Sequence, residues 1–103
     1  LDHDQLLEVY EQRVWVWIQG LNGKGGLSAK RDYPNEAGQP VPRALVQLPD
    51  NLSKDQFVDQ LMAGEPAVSV APSEKINAIL LNPMTVSDEE TQIVLEQILK
   101  AID

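Results

Sequence analysis

The chain has 103 residues, 43% of them hydrophobic, which is the length of one domain with enough apolar material for a modest core. Sixteen acidic against eight basic residues give a net charge of −8, which serves solubility and argues against nucleic acid or an anionic membrane surface as partner. There is no cysteine, so no disulfide framework and no thiolate metal site, and no apolar run approaches the roughly 20 residues of a membrane-spanning helix. The opening Leu1-Asp2-His3-Asp4 does not read as a signal peptide, and the missing initiator methionine suits a processed chain or an excised fragment.

The first predicted element is a helix over about residues 4–20. Leu6, Leu7, Tyr10, Val14, Trp17, Ile18 and Leu21 recur at three- and four-residue spacings and share one face. Val9, Trp15 and Val16 lie off that stripe, so the helix is apolar on a second side, as a helix is when it meets a further packing layer. Gly20, Asn22 and Gly23 supply the stop. Residues 27–32 predict a strand with Leu27, Ala29 and Arg31 on one side, and 43–48 a better one with Ala44, Val46 and Leu48 together. Between them, 33–42 carries three prolines and a glycine and reads as a loop closing a long hairpin.

A second helix starts at Ser53, where a capping box with Gln56 and a Leu52–Phe57 staple are expected. Phe57, Val58, Leu61 and Met62 form its buried face. Gly64 is expected to end it in the left-handed conformation, and Pro66 to prevent continuation. Two short strands follow, 67–71 and 76–81, around a turn at Pro72-Ser73-Glu74-Lys75. The consecutive Ile79, Leu80 and Leu81 predict a strand covered on both faces. Ser87 and Glu90 predict a second capping box, with Asp88, Glu89 and Glu90 placed to suit the helix dipole. Val94, Leu95, Ile98, Leu99 and Ile102 give the last helix its core face. The order α-β-β-α-β-β-α predicts an α+β fold, a two-layer sandwich in which about four antiparallel strands carry helices on one face. Residues 1–103 read as one domain without internal repeats.

Few residues point to chemistry. Gly23-Lys24-Gly25-Gly26 lacks the spacing and the following helix of a phosphate loop. His3 is the one histidine, at the chain's start, so neither a metal site nor a nucleophile–base pair is supported. The carboxylates of residues 88–90 are accounted for by their helical turn. Arg43 opens a strand on the face opposite Ala44, Val46 and Leu48, where a guanidinium can hold a carboxylate or phosphate, or stand solvated at the strand end. Glu65 sits in a rigid turn between Gly64 and Pro66. Asn82-Pro83-Met84 leaves the most apolar strand. Arg43, Glu65, Asn82 and Met84 are therefore the candidate binding residues, each with a plain turn or surface role as the alternative.

Several segments together resemble the C-terminal small domain of the selenocysteine-synthase-related group of fold-type I pyridoxal phosphate enzymes, which includes ammonia-lyases of amino-sugar acids. They are Gly64-Glu65-Pro66-Ala67-Val68, the strand Ile79-Leu80-Leu81 with Asn82-Pro83, Thr85-Val86, and the acidic start Asp88-Glu89-Glu90. Gly26-Leu27-Ser28-Ala29, Pro40-Val41-Pro42-Arg43 and the long first helix also fit. The motifs are short; their order and spacing over nearly the whole chain carry the likeness. It implies a cytoplasmic, homo-oligomeric parent enzyme whose large domain, absent here, holds pyridoxal phosphate on a Schiff-base lysine. This chain then holds no catalytic, cofactor-binding or metal residue of its own and covers one wall of the active site. Where many relatives present an arginine after the apolar strand, this chain has Met84, which leaves Arg43 as the available cation. The alternative reading is a free-standing α+β module for protein interaction or small-molecule sensing. A severed domain exposes apolar surface around Trp15, Val16 and Val9; a free module buries one stripe only.

Overall fold

The computed structural model describes residues 2–33 and 41–102, with the side chain of His3 outside that description. The predicted loop over 33–42, including Pro40, falls largely outside the described residues. Helix α1, His3–Leu21, begins at a capping box not singled out from the sequence: Asp2 Oδ1 accepts from the Gln5 N–H at 2.8 Å, and Gln5 Oε1 accepts from the Asp2 N–H at 3.2 Å. Val14, Trp17, Ile18 and Leu21 bury the helical stripe. The Trp17 indole N–H donates to the Thr91 carbonyl at 3.0 Å, so the largest core side chain is also polar-satisfied. Gly20 does not stop the helix. It lies inside it, one residue before the end, and a Cβ there would sit 2.5 Å from Leu95 Cδ1. The glycine lets α1 approach the last helix closely.

Strands β1 (Ser28–Asp32), β2 (Arg43–Gln47), β3 (Ala71–Pro72) and β4 (Ala78–Leu81) form one antiparallel sheet in the order β1-β2-β4-β3. Helix α2 spans Lys54–Met62, a 3-10 turn Pro83–Thr85 and helix α3 Asp88–Ile102. The α+β fold and the α-β-β-α-β-β-α order are as the sequence predicts. Ala29, Ala44, Val46, Ile79 and Leu81 face the helices and join Trp17, Phe57, Leu61 and Ile98 in the main core. Each large side chain fully withdrawn from water there contributes about 1.5–3 kcal/mol. Leu45, Ala78 and Leu80 make a second cluster from the opposite pleat, so β4 is buried along all four residues. Arg31 shares the helix-side face but lies at the sheet edge, where its Nε donates to Glu11 at 2.8 Å.

Helix α3 starts as expected: Ser87 Oγ accepts from the Glu90 N–H at 3.1 Å, and Glu90 Oε1 accepts from the Ser87 N–H at 3.0 Å. Helix α2 does not. Ser53 makes no side-chain cap, and the Lys54 N–H is taken by Asn77 Oδ1 at 2.9 Å. The Asn77 amide also donates to the carbonyls of Leu52 (2.8 Å) and Pro49 (3.3 Å). The expected Ser53–Gln56 box is absent, and the side-chain acceptor at the start of α2 comes instead from a residue 24 positions past Ser53, on a different amide, that of Lys54. Gly64 is not left-handed either: positive φ is confined to Gly23, Gly25 and Gly26 among the described residues. A Cβ at Gly64 would meet Gln97 Oε1 at 3.2 Å and the Leu61 carbonyl at 3.3 Å, so the glycine sits where the turn is pressed against α3 and the end of α2. The strand predicted over 67–71 shrinks to Ala71–Pro72, because the Val68 N–H bonds to the Leu61 carbonyl at 2.9 Å and draws the segment toward α2. The strand predicted over 76–81 starts at Ala78. The intervening turn is correspondingly longer.

Removing the Asn77 amide strips one acceptor and two donations from a half-buried junction. Asn77→Ala is expected to cost about 2–3 kcal/mol and Ser53→Ala under about 0.5 kcal/mol, read as midpoint shifts in urea denaturation. A larger loss at Ser53 than at Asn77 would contradict this division of labour.

Candidate functional site

The antiparallel ladder between β3 and β4 pairs Ala71 with Leu80 and Pro72 with Ile79, and Ser73 donates to the Ala78 carbonyl at 2.8 Å. Continued one step of the repeat, the next opposed hydrogen-bonding pair is Ser69 and Asn82. No ladder bond joins them. The two strands have parted there, and a cleft of about 230 Å³ opens in the gap. That is below the roughly 300–1,000 Å³ of sites for drug-sized ligands, so it suits a small group.

Arg43, Ser69, Asn82 and Thr85 supply the polar lining; Trp17, Val70, Leu81, Val86 and Val94 are among the apolar walls. Arg43 arrives because β2 and β4 pair Ala44 with Leu81, which sets Arg43 opposite Asn82. Its Nε is buried without a hydrogen-bond partner. Asn82 Oδ1 accepts from the Met84 N–H at 2.9 Å and fixes the 3-10 turn that rims the cleft. Arg13 of α1 braces the same turn: Nη1 donates to the Pro83 carbonyl at 3.1 Å and Nε to Asp88 at 3.2 Å. Asp88 is 92% exposed, so the carbonyl contact matters more than the ion pair.

Two of the four candidate contacts, Arg43 and Asn82, therefore meet in one cleft. Met84 is adjacent, 49% exposed on the turn. Glu65 is elsewhere, beside a separate cleft under Gln97 and Lys100 near the C-terminal end of α3. Ser69 was not identified from the sequence. It lines the cleft because the β3–β4 ladder ends beside it, and no residue type announces that. Among the described residues no group of histidine and acidic side chains is placed to hold a metal ion, and no helix is long and apolar enough to cross a membrane.

On its other side, α1 exposes Trp15, 57% open to solvent, with Val9 and Val16 half-buried. Leu6, Leu7 and Tyr10 are half-buried too and stand outside the core cluster, although they continue its stripe.

No protein-family model and no curated protein matches the chain. Among solved structures it is similar to "Structure of D-Glucosaminate-6-phosphate Ammonia-lyase", with a TM-score of 0.73 and 20% identity. The match covers 86% of this chain and 25% of that one, so the chain spans about a quarter of the length of the structure it matches. At that identity the likeness is one of fold.

Trp17 both walls the cleft and bonds Thr91. Trp17→Phe is expected to lower stability by about 1–3 kcal/mol through the lost hydrogen bond and the void left beside Val94. Iodide quenching should reach the fluorescence of Trp15 and spare that of Trp17, so Trp15→Phe should leave an unquenchable emission. Strong quenching of the Trp15→Phe variant would mean that Trp17 is not enclosed.

Proposed function

We propose that this chain is the small, C-terminal domain of a pyridoxal-phosphate-dependent enzyme, an ammonia-lyase or related eliminase acting on an amino acid or amino-sugar acid. The observation that carries the reading is the fold it shares with one quarter of an ammonia-lyase chain. The apolar surface of α1 supports it. An exposed tryptophan beside half-buried valines is what a helix presents when a further layer is to cover it. The free-standing module reading gains nothing from that surface.

The cofactor does not fit this chain's own cleft. None of its five lysines lines the gap beside Arg43: Lys54 Nζ is bonded to the Ser73 and Ile76 carbonyls at 2.6 and 3.3 Å, and Lys24, Lys30, Lys75 and Lys100 are exposed on turns, β1 and the end of α3. Pyridoxal phosphate belongs on the remaining part of the enzyme, where it supplies an electron sink for a carbanion at the substrate Cα. This chain's part is mechanical and electrostatic. It presents Arg43 and Asn82 at one end of the sheet, holds the 3-10 turn in place through Arg13, and offers α1 as the docking helix. A cytoplasmic, homo-oligomeric parent belongs to the same proposal.

The gene that encodes the chain tests this directly. Its full product should contain an α/β region bearing a lysine that borohydride links to pyridoxal phosphate, and in that product Trp15 should lose its accessibility to iodide. The 103-residue chain mixed with equimolar cofactor should show no saturable, lysine-specific labelling. A full product lacking such a region, or labelling of one lysine in the chain alone, overturns the proposal.

A further inference from the structure

The parted strands leave an unusual set of groups. Were the antiparallel repeat continued, the N–H and C=O of Ser69 and Asn82 would face each other across the gap, as those of Ala71 and Leu80 do one step away. Among the described residues the N–H groups of Ser69 and Asn82 have no protein partner, and Arg43 Nε, at the same cleft, has none either. Three donors thus line one small cavity with nothing to receive them. Of these, Arg43 Nε is buried; leaving a buried donor unpaired is costly, so the cleft favours an acceptor-rich, negatively charged group.

The same surroundings limit the charge. Arg43 is the one cation among the lining residues. Asp32 lies opposite Arg43 in the β1–β2 register, forms no ion pair with it, and keeps a buried, unpartnered Oδ2 close by. The chain as a whole carries −8. A dianion meets roughly twice the repulsion of a monoanion and finds no second cation to offset it. The rest of the cavity is apolar, with Trp17, Val86 and Val94 in its walls.

We infer that the split between β3 and β4 is a binding seat for a small monocarboxylate with an apolar body. Arg43 and the backbone amides of Ser69 and Asn82 hold its carboxylate, and the wall around Trp17 takes its hydrocarbon. This does not depend on the enzyme reading: Arg43, Ser69, Asn82 and Trp17 all belong to the described chain, whatever the gene encodes beside it.

The test titrates the 103-residue chain with sodium hexanoate, inorganic phosphate and 1-hexanol, followed by amide and indole nuclear magnetic resonance. Hexanoate should shift the Ser69 and Asn82 amides and the Trp17 indole saturably, and phosphate and hexanol should bind at least about tenfold more weakly. Arg43→Gln should weaken hexanoate about ten- to a hundredfold, with Arg43→Lys between the two. Ser69→Pro removes one donor without touching a hydrogen bond of the fold and should weaken it a few-fold, so the inference stays testable if Arg43→Gln fails to fold. Absence of hexanoate binding, phosphate binding as tightly at the same amides, hexanol binding equally well, or indifference of hexanoate to Ser69→Pro would each overturn it.

Discussion

The four residues Ala78–Leu81 are the constraint on which the rest of the structure rests. They form an inner strand, paired on both edges and buried on both faces, with Ile79 and Leu81 in the helix-side core and Ala78 and Leu80 in the opposite cluster. A strand in that position cannot slip, because a one-residue shift would exchange its two faces against both neighbours at once. Its ends then become fixed points. At one end Asn77 ties the start of α2 and the Pro49–Leu52 turn to the sheet. At the other, Asn82 turns the chain into the 3-10 segment braced by Arg13. The cleft lies at that second end because the ladder to β3 stops there.

Why it stops is a matter of competing magnitudes. Extending β3 by one hydrogen-bonding pair would add two backbone bonds, about 0.5–1.5 kcal/mol net each. The chain instead turns toward α2, where Val68 is only 4% exposed in the core and its N–H is taken by Leu61. Burying a valine contributes about 1.5–3 kcal/mol, and the Leu61 bond replaces one of those forgone. The two arrangements are close in free energy, so a core preference of one residue opens a gap whose donors are left facing a cavity. The edge position of Pro72, which has no N–H to give, also keeps β3 short.

The elements were legible in the sequence because their signals are periodic: the Val14–Leu21 part of the α1 stripe, the alternation of Ala44, Val46 and Leu48, and the acidic start of α3 each survive in the fold. What was not legible depends on partners distant along the chain. Ser53 looks like a cap, but it makes no cap bond, and the side-chain acceptor at this helix start is Asn77, on the amide of Lys54. Gly20 and Gly64 look like punctuation, but they are contact points for Leu95 and Gln97 on α3. The site divides in the same way. Arg43 and Asn82 could be singled out by residue type and strand position, and the register brings them face to face. Glu65 was grouped with them because its turn is rigid, yet that turn opens onto the far part of α3. Ser69 carried no signal at all, since its role is a main-chain group exposed by the failure of a neighbouring pair.

Helix α1 sets how the cleft and a docked domain relate. Trp15 and Trp17 are two residues apart, about 200° around the helix axis. A partner seated on Trp15 therefore covers the side turned away from the cleft wall that Trp17 forms. Leu6, Leu7 and Tyr10 are different: they lie on the Trp17 stripe, N-terminal to Arg13, the residue that grips Pro83. A partner seated there meets the domain at the end where Arg43, Asn82 and Met84 gather. Under the proposed enzyme reading, the first turns of α1 would be the surface through which the larger chain brings its own chemistry up to this cleft, and Trp15 a surface through which it grips the domain without reaching it. An arrangement that covered Trp15 alone would leave Arg43 facing solvent, and the cleft would then serve a ligand of its own.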